Sequence, residues 1–122
     1  MNTNISSSQE NIIHNCLLDL LESSSSNDSS FLPKALQSLL HSEGFGIEMS
    51  GIYISTDADR ENIPAYLTKG IAFEFMDSHV TLPFRDAIAC ITNWYNHHDE
   101  IKNPELDKII EDLKIKFSQQ GL

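Results

Sequence analysis

Residues 70–76 read Gly-Ile-Ala-Phe-Glu-Phe-Met, with Ile71, Phe73 and Phe75 on alternate positions. Successive side chains of a strand point to opposite faces, so this stretch predicts a strand with one apolar side. Residues 51–55, Gly-Ile-Tyr-Ile-Ser, repeat the pattern through Ile52 and Ile54. Together the two stretches predict a core face of Ile52, Ile54, Ile71, Phe73 and Phe75. Tyr53, Ala72, Glu74 and Met76 are left for the opposite face. The joining segment, TDADRENIPAYLTKG at 56–70, is acidic and contains a proline, which suits a long hairpin connection better than a two-residue turn. Asp77-Ser78 is turn-forming, and Val80 and Leu82 alternate with polar neighbours, so 77–82 predicts a short third strand.

Helices flank this block on both sides. Residues 8–22 place Ile12, Ile13, Cys16, Leu17, Leu20 and Leu21 at helical spacing, with Ser8 as the expected cap. Pro33 is expected to open a second helix carrying Leu36, Leu39 and Leu40, which Gly44 would end in the left-handed conformation. A third helix, capped by Thr81 with Pro83 in its first turn, aligns Phe84, Ala87, Ile88 and Ile91 and runs toward Asn96. Asn103-Pro104 then gives a cap and a first helical residue for a fourth stripe of Leu106, Ile109, Ile110, Leu113 and Phe117, with Gly121 beyond it. The order α-α-β-β-(β)-α-α predicts an α+β fold, a small antiparallel sheet of two to three strands packed with about four helices. Residues 1–122 have the length of one domain, and the Ser-rich stretch at 23–30 reads as a loop inside it.

Eighteen Asp and Glu against eight Lys and Arg give a formal charge of −10. That field repels phosphate backbones and anionic lipid surfaces and steers basic partners inward, so neither direct nucleic-acid binding nor membrane binding is expected. The first fifteen residues have neither a basic start nor an apolar stretch of signal-peptide length, which predicts a cytoplasmic protein. Cys16 and Cys90 both lie in apolar helical stretches and are expected to be unpaired and largely buried, as in a reducing compartment.

Stretch 93–100, Asn-Trp-Tyr-Asn-His-His-Asp-Glu, raises the question of a metal site. Adjacent helical residues diverge by about a hundred degrees, so His97 and His98 cannot grip one ion as an i, i+4 pair would. A helix end is the better reading, since histidines are favourable at the negative end of the helix dipole. His14, His41 and His79 have no spaced ligand partners, although His79 is placed to line a cleft. Asp57, Asp59 and Glu61 follow the opening of a calcium loop, but Asn62 and Thr68 stand where its glycine and bidentate glutamate belong. The glycines make no phosphate-binding loop, and no nucleophile signature is found. No catalytic residue, metal or cofactor is expected, and the chain does not read as an enzyme.

From GIYIS through FEFMDSHVTLPFRDAIACITNWYNHHDEIKNPELDKIIEDLKIKF the chain resembles immunity proteins of bacterial contact-dependent growth inhibition systems, those that neutralise ribonuclease toxins. The resemblance lies in the GIAFEF strand, the acidic turn before VTLPF, and a helix followed by Pro-Glu and a final amphipathic helix. It implies a protein that binds a cognate toxin domain and blocks its active site or its access to RNA. A toxin that holds RNA needs basic residues, and an inhibitor offering carboxylates competes for the same field. The expected partner surface is Asp57, Asp59 and Glu61 in the acidic segment, Glu74 and Asp77 at the far strand end, and Tyr53 as an aromatic anchor. The alternative resemblance is to acidic type III secretion chaperones, which bind an effector and follow a helix, three strands, helix, two strands, helix order.

Overall fold

A computed structural model describes residues 6–23 and 30–118. Among the described residues, four helices pack with one four-stranded antiparallel sheet. The elements are α1 (Ser7–Glu22), α2 (Phe31–Leu40), β1 (Phe45–Gly46), β2 (Ser50–Ile54), β3 (Ile71–Phe75), β4 (Ser78–Leu82), α3 (Phe84–Asn96) and α4 (Pro104–Ser118). The strands lie in chain order, so every sheet neighbour is also a sequence neighbour. The α+β class is as expected, with one strand more than the alternation of side chains could reveal.

That extra strand, β1, pairs Phe45 with Ile52 and Gly46 with Gly51. In β2 and β3, Ile52 faces Phe73 and Ile54 faces Ile71, which puts the four apolar side chains on one side. They meet Ile13, Cys16, Leu17 and Leu20 of α1 and Leu32, Ala35, Leu36 and Leu39 of α2 in one core, while Phe75 is only partly buried. Burying side chains of this size contributes about 1.5–3 kcal/mol each. α1 lies across β2, β3 and β4, α2 covers β1 and β2, and α4 packs on α2 and α3. Phe84 of α3 stacks on Phe117 of α4 with ring centroids 5.6 Å apart.

Polar contacts fix how these layers meet. Cys16 Sγ donates to the Gly51 carbonyl, and Ser50 Oγ donates to Asp19 of α1 at 2.5 Å. Burial pushes the Cys16 thiol up to about 12, so it stays a protonated donor. Lys116 of α4 reaches the end of α2, donating to the Leu40 carbonyl and to Ser42 Oγ. Its burial holds the ammonium below the usual lysine range.

Several boundaries differ from expectation for identifiable reasons. Ser6, not Ser8, caps α1, because Gln9 completes a reciprocal capping box with it. Ser30 caps α2, so the helix opens at Phe31 and Pro33 sits in its first turn, where no intrahelical N–H is needed. Ser42, at φ 59°, takes the left-handed position assigned to Gly44. Thr81 belongs to β4, and Pro83 occupies the cap of α3 without a side-chain bond. Asn103 does cap α4, accepting from the Leu106 amide at 2.9 Å. Of the Ser-rich stretch, 24–29 lies outside the described residues, as does Gly121. Among the described residues no helix is long and apolar enough to cross a membrane.

Candidate functional site

The face of the sheet turned away from α1 brings two of the candidate residues, Tyr53 and Glu74, together. Strand alternation sends Tyr53, Ala72 and Glu74 to that side, and the pairing of Glu74 with His79 adds an imidazole beside the carboxylate. The 56–70 connection folds back over part of this face, burying Leu67 and Ala72 apart from the main core. Its Tyr66 stacks on His79 with centroids 3.6 Å apart, and Tyr66 Oη donates to Glu74 Oε2 at 2.7 Å.

Gly46, Gly51, Glu74 and His79 form one cross-strand row, and the two glycines leave bare backbone for the Tyr53 ring to lie on. A Cβ at Gly51 would come within 2.6 Å of the ring. Covering strand glycines with an aromatic restores the packing that they lack. Burial and the neighbouring Glu74 raise the Tyr53 phenol above its ordinary value, and the same two causes raise Tyr66 further. Both phenols therefore stay neutral beside one half-exposed carboxylate, and Tyr66 donates to it.

The structure separates the three carboxylates of the acidic segment. Asp59 and Glu61 are exposed; Asp59 Oδ1 accepts from the Glu61 amide and caps a 3-10 turn at Arg60–Asn62. Asp57 is turned inward and only 7% exposed. Its carboxylate accepts from the amides of Gly44 and Asp59, both at 2.8 Å, so it latches the connection to the start of β1. Asp57 thus lies beneath the surface on which the acidic segment was expected to present it. Asp77 lies in the β3–β4 turn with Met76, which is 63% exposed and adopts φ 56°. Met49 is close by, its carbonyl accepting from the Met76 amide at 2.7 Å, so two exposed methionines mark this end of the sheet.

Burial alone would raise the Asp57 carboxyl, but the Gly44 and Asp59 amides and the Asn62 side chain hold it below the usual carboxylate range. A folded value below the unfolded one contributes stability above the unfolded pKa, near 3.9, and loses it as pH falls through the folded value. Asp57→Asn is expected to cost about 1–3 kcal/mol at pH 7, since an amide turns its NH₂ against one of the two donors. Urea midpoints at pH 7 and pH 3 measure this. The gap between wild type and variant should shrink at pH 3, and an equal gap at both would refute the latch.

At the other end of the molecule, the 93–100 stretch closes α3. His97 is the C-cap, and Nδ1 of His97 and His98 lies 2.7 Å from the Asn93 and Trp94 carbonyls respectively. A carbonyl only accepts, so each Nδ1 carries the proton. Trp94 Nε1 donates to His14 Nδ1 at 2.9 Å, which fixes the opposite tautomer on His14. His98 stacks on Trp94 at 4.3 Å and on His14 at 5.9 Å, so His14 joins α1 to the end of α3. Among the described residues no group of three His, Cys, Asp or Glu is arranged to hold a metal ion. Cys90 is half-buried on α3 rather than fully buried, whereas Cys16 is completely enclosed.

Tyr66 escaped the sequence reading because its partners Glu74 and His79 are 8 and 13 positions away on other elements. Its only signal was an aromatic in an acidic connection. Against protein-family models, curated proteins and solved structures, the chain finds no match.

Proposed function

We propose that this chain is a cytoplasmic inhibitor of a basic toxin domain, of the immunity-protein kind that its sequence resembles. In this reading the outer sheet face docks on the toxin and blocks its active site or its access to RNA. The observation that carries the reading is Glu74, half-exposed between Tyr53 and Tyr66, on a chain of charge −10. The ion pairs among the described residues are three exposed, local contacts of Lys102, Lys108 and Lys114, so most carboxylates remain unneutralised. Aromatic burial supplies affinity and the surrounding charge supplies encounter rate. Asp59, Glu61 and Asp77 stand as rim charges, while Asp57 lies turned inward.

The chaperone reading has less support. Four strands run consecutively between α2 and α3, and among the described residues none follows β4. The chaperone order requires strands on both sides of an internal helix.

Co-expression with a basic ribonuclease toxin domain tests the proposal. Cells should survive only when this chain is present, and the two proteins should purify as a stoichiometric complex. Undiminished RNA cleavage in the presence of excess inhibitor would end it.

A further inference from the structure

A cleft of about 820 Å³ lies between the first half of α1, the exposed side of α3 and the last turns of α4, and no strand residue is among its described lining. Ile13, Ile88 and Phe117 form its apolar floor, and Ala89 lies beside them. Trp94, with His14 hydrogen-bonded to it and His98 stacked on it, closes one end.

Charge around this cleft is close to balanced, on a chain that is −10 overall, because Glu111 beside Lys114 and Glu10 in the lining offset Arg85 and Lys114. Carboxylates outnumber Lys and Arg by 18 to 8 overall, yet the described lining contains Arg85 and Lys114 against Glu10 alone. Arg85 is exposed and makes no ion pair among the described residues. Lys114 meets only the exposed Glu111, at 3.5 Å. Sites of this volume with an apolar wall and a few convergent polar groups are the usual form of small-molecule pockets. A polyanion approaching the cleft would feel the −10 of the whole chain, whereas a singly charged ligand is governed by groups within about one Debye length, roughly 8 Å.

From this juxtaposition we infer a second binding site, for a small amphipathic organic anion. Its apolar body lies on Ile13, Ile88 and Phe117, and its acid group meets Arg85 and Lys114. The site is independent of the sheet face proposed to meet a toxin.

The test uses the full chain and two fluorescent probes of similar shape, anionic 8-anilinonaphthalene-1-sulfonate and uncharged N-phenyl-1-naphthylamine. The anion should bind one to one and about tenfold more tightly than its neutral analogue, a factor worth about 1.4 kcal/mol. Joint Arg85→Gln and Lys114→Gln should remove that advantage, and Lys108→Gln, outside the cleft, should not. Ala89→Phe should weaken both probes by filling the space. Near-UV circular dichroism establishes that each variant is folded. Should Ala89→Phe not fold, probe-induced shifts of the Trp94 indole resonance in the wild type report occupancy instead. Equal affinity for the two probes, indifference to the charge changes, an unmoved Trp94 resonance, or binding only to a dimer would each overturn the proposal.

Discussion

Gly70→Ala is expected to destabilise the fold by about 3 kcal/mol, more than any surface change in the same connection. Gly70 stands at φ +109°, a region that side chains rarely enter, and a Cβ there would run into the Leu82 carbonyl oxygen, with the carbonyl carbon at 3.1 Å. Backbone cannot swing aside as a flexible side chain would. Gly70 also closes the long connection: its amide donates to Ser55 Oγ and its carbonyl accepts from the Ser55 amide, both at 3.0 Å. Relieving the clash would therefore open this pinch, disturb the pairing of Ile71 with Leu82 and unseat the segment that carries Tyr66. Urea unfolding of Gly70→Ala beside Thr68→Ala, an exposed neighbour, measures it. The control should stay within about 0.5 kcal/mol of wild type. A loss below about 1 kcal/mol for Gly70→Ala would show that the backbone relaxes freely, and the strain argument would fail.

Gly70 illustrates what could be read in the chain and what could not. Strands β2 and β3 were legible because Ile52, Ile54, Ile71 and Phe73 alternate, and burial on one face demands alternation. Strand β1 was not, because it has two residues and Gly46 contributes no side chain to a pattern. The β3–β4 turn was expected at Asp77-Ser78 and forms at Met76-Asp77, since the pairing of Phe75 with Ser78 leaves only those two residues for the loop. Met76 consequently takes a positive φ in place of a position on the outer face.

The candidate site was partly legible by the same logic. Periodicity was sufficient to put Tyr53 and Glu74 on one face, because both belong to regular strands. It could not say which acid of Asp-Ala-Asp-Arg-Glu turns inward, since that depends on the Gly44 amide thirteen residues earlier. Composition alone treats Asp57, Asp59 and Glu61 alike, whereas the fold makes one a latch and leaves two in solvent. Residues 93–100 were read as a helix end from the adjacency of the two histidines and the pull of the helix dipole, and α3 ends there. The stacking of Trp94, His98 and His14 needed the return of α1 to the end of α3, a contact across 80 positions in the chain.

Should the outer face be the toxin-binding surface, Glu74→Ala is expected to cost about 2–5 kcal/mol of binding free energy, chiefly through faster dissociation. Glu74 is half-buried between two neutral phenols, and one of its oxygens already accepts from Tyr66. A cation docking on the carboxylate would become desolvated with the Tyr53 and Tyr66 rings around it, where removing one member leaves the other charge unpaired. Glu74→Gln separates charge from shape, because it keeps an acceptor for Tyr66 while losing the negative charge. It should fall close to Glu74→Ala in affinity and close to wild type in stability. Asp59→Asn with Glu61→Gln should behave differently: these exposed carboxylates act through the long-range field, so the pair should slow association and flatten its salt dependence with little change in dissociation. Rate constants for the three variants against the toxin domain, across a salt series, distinguish an anchored carboxylate from a steering one. Affinities within twofold of wild type for all three would remove the sheet face from the interface and direct the search to the helices.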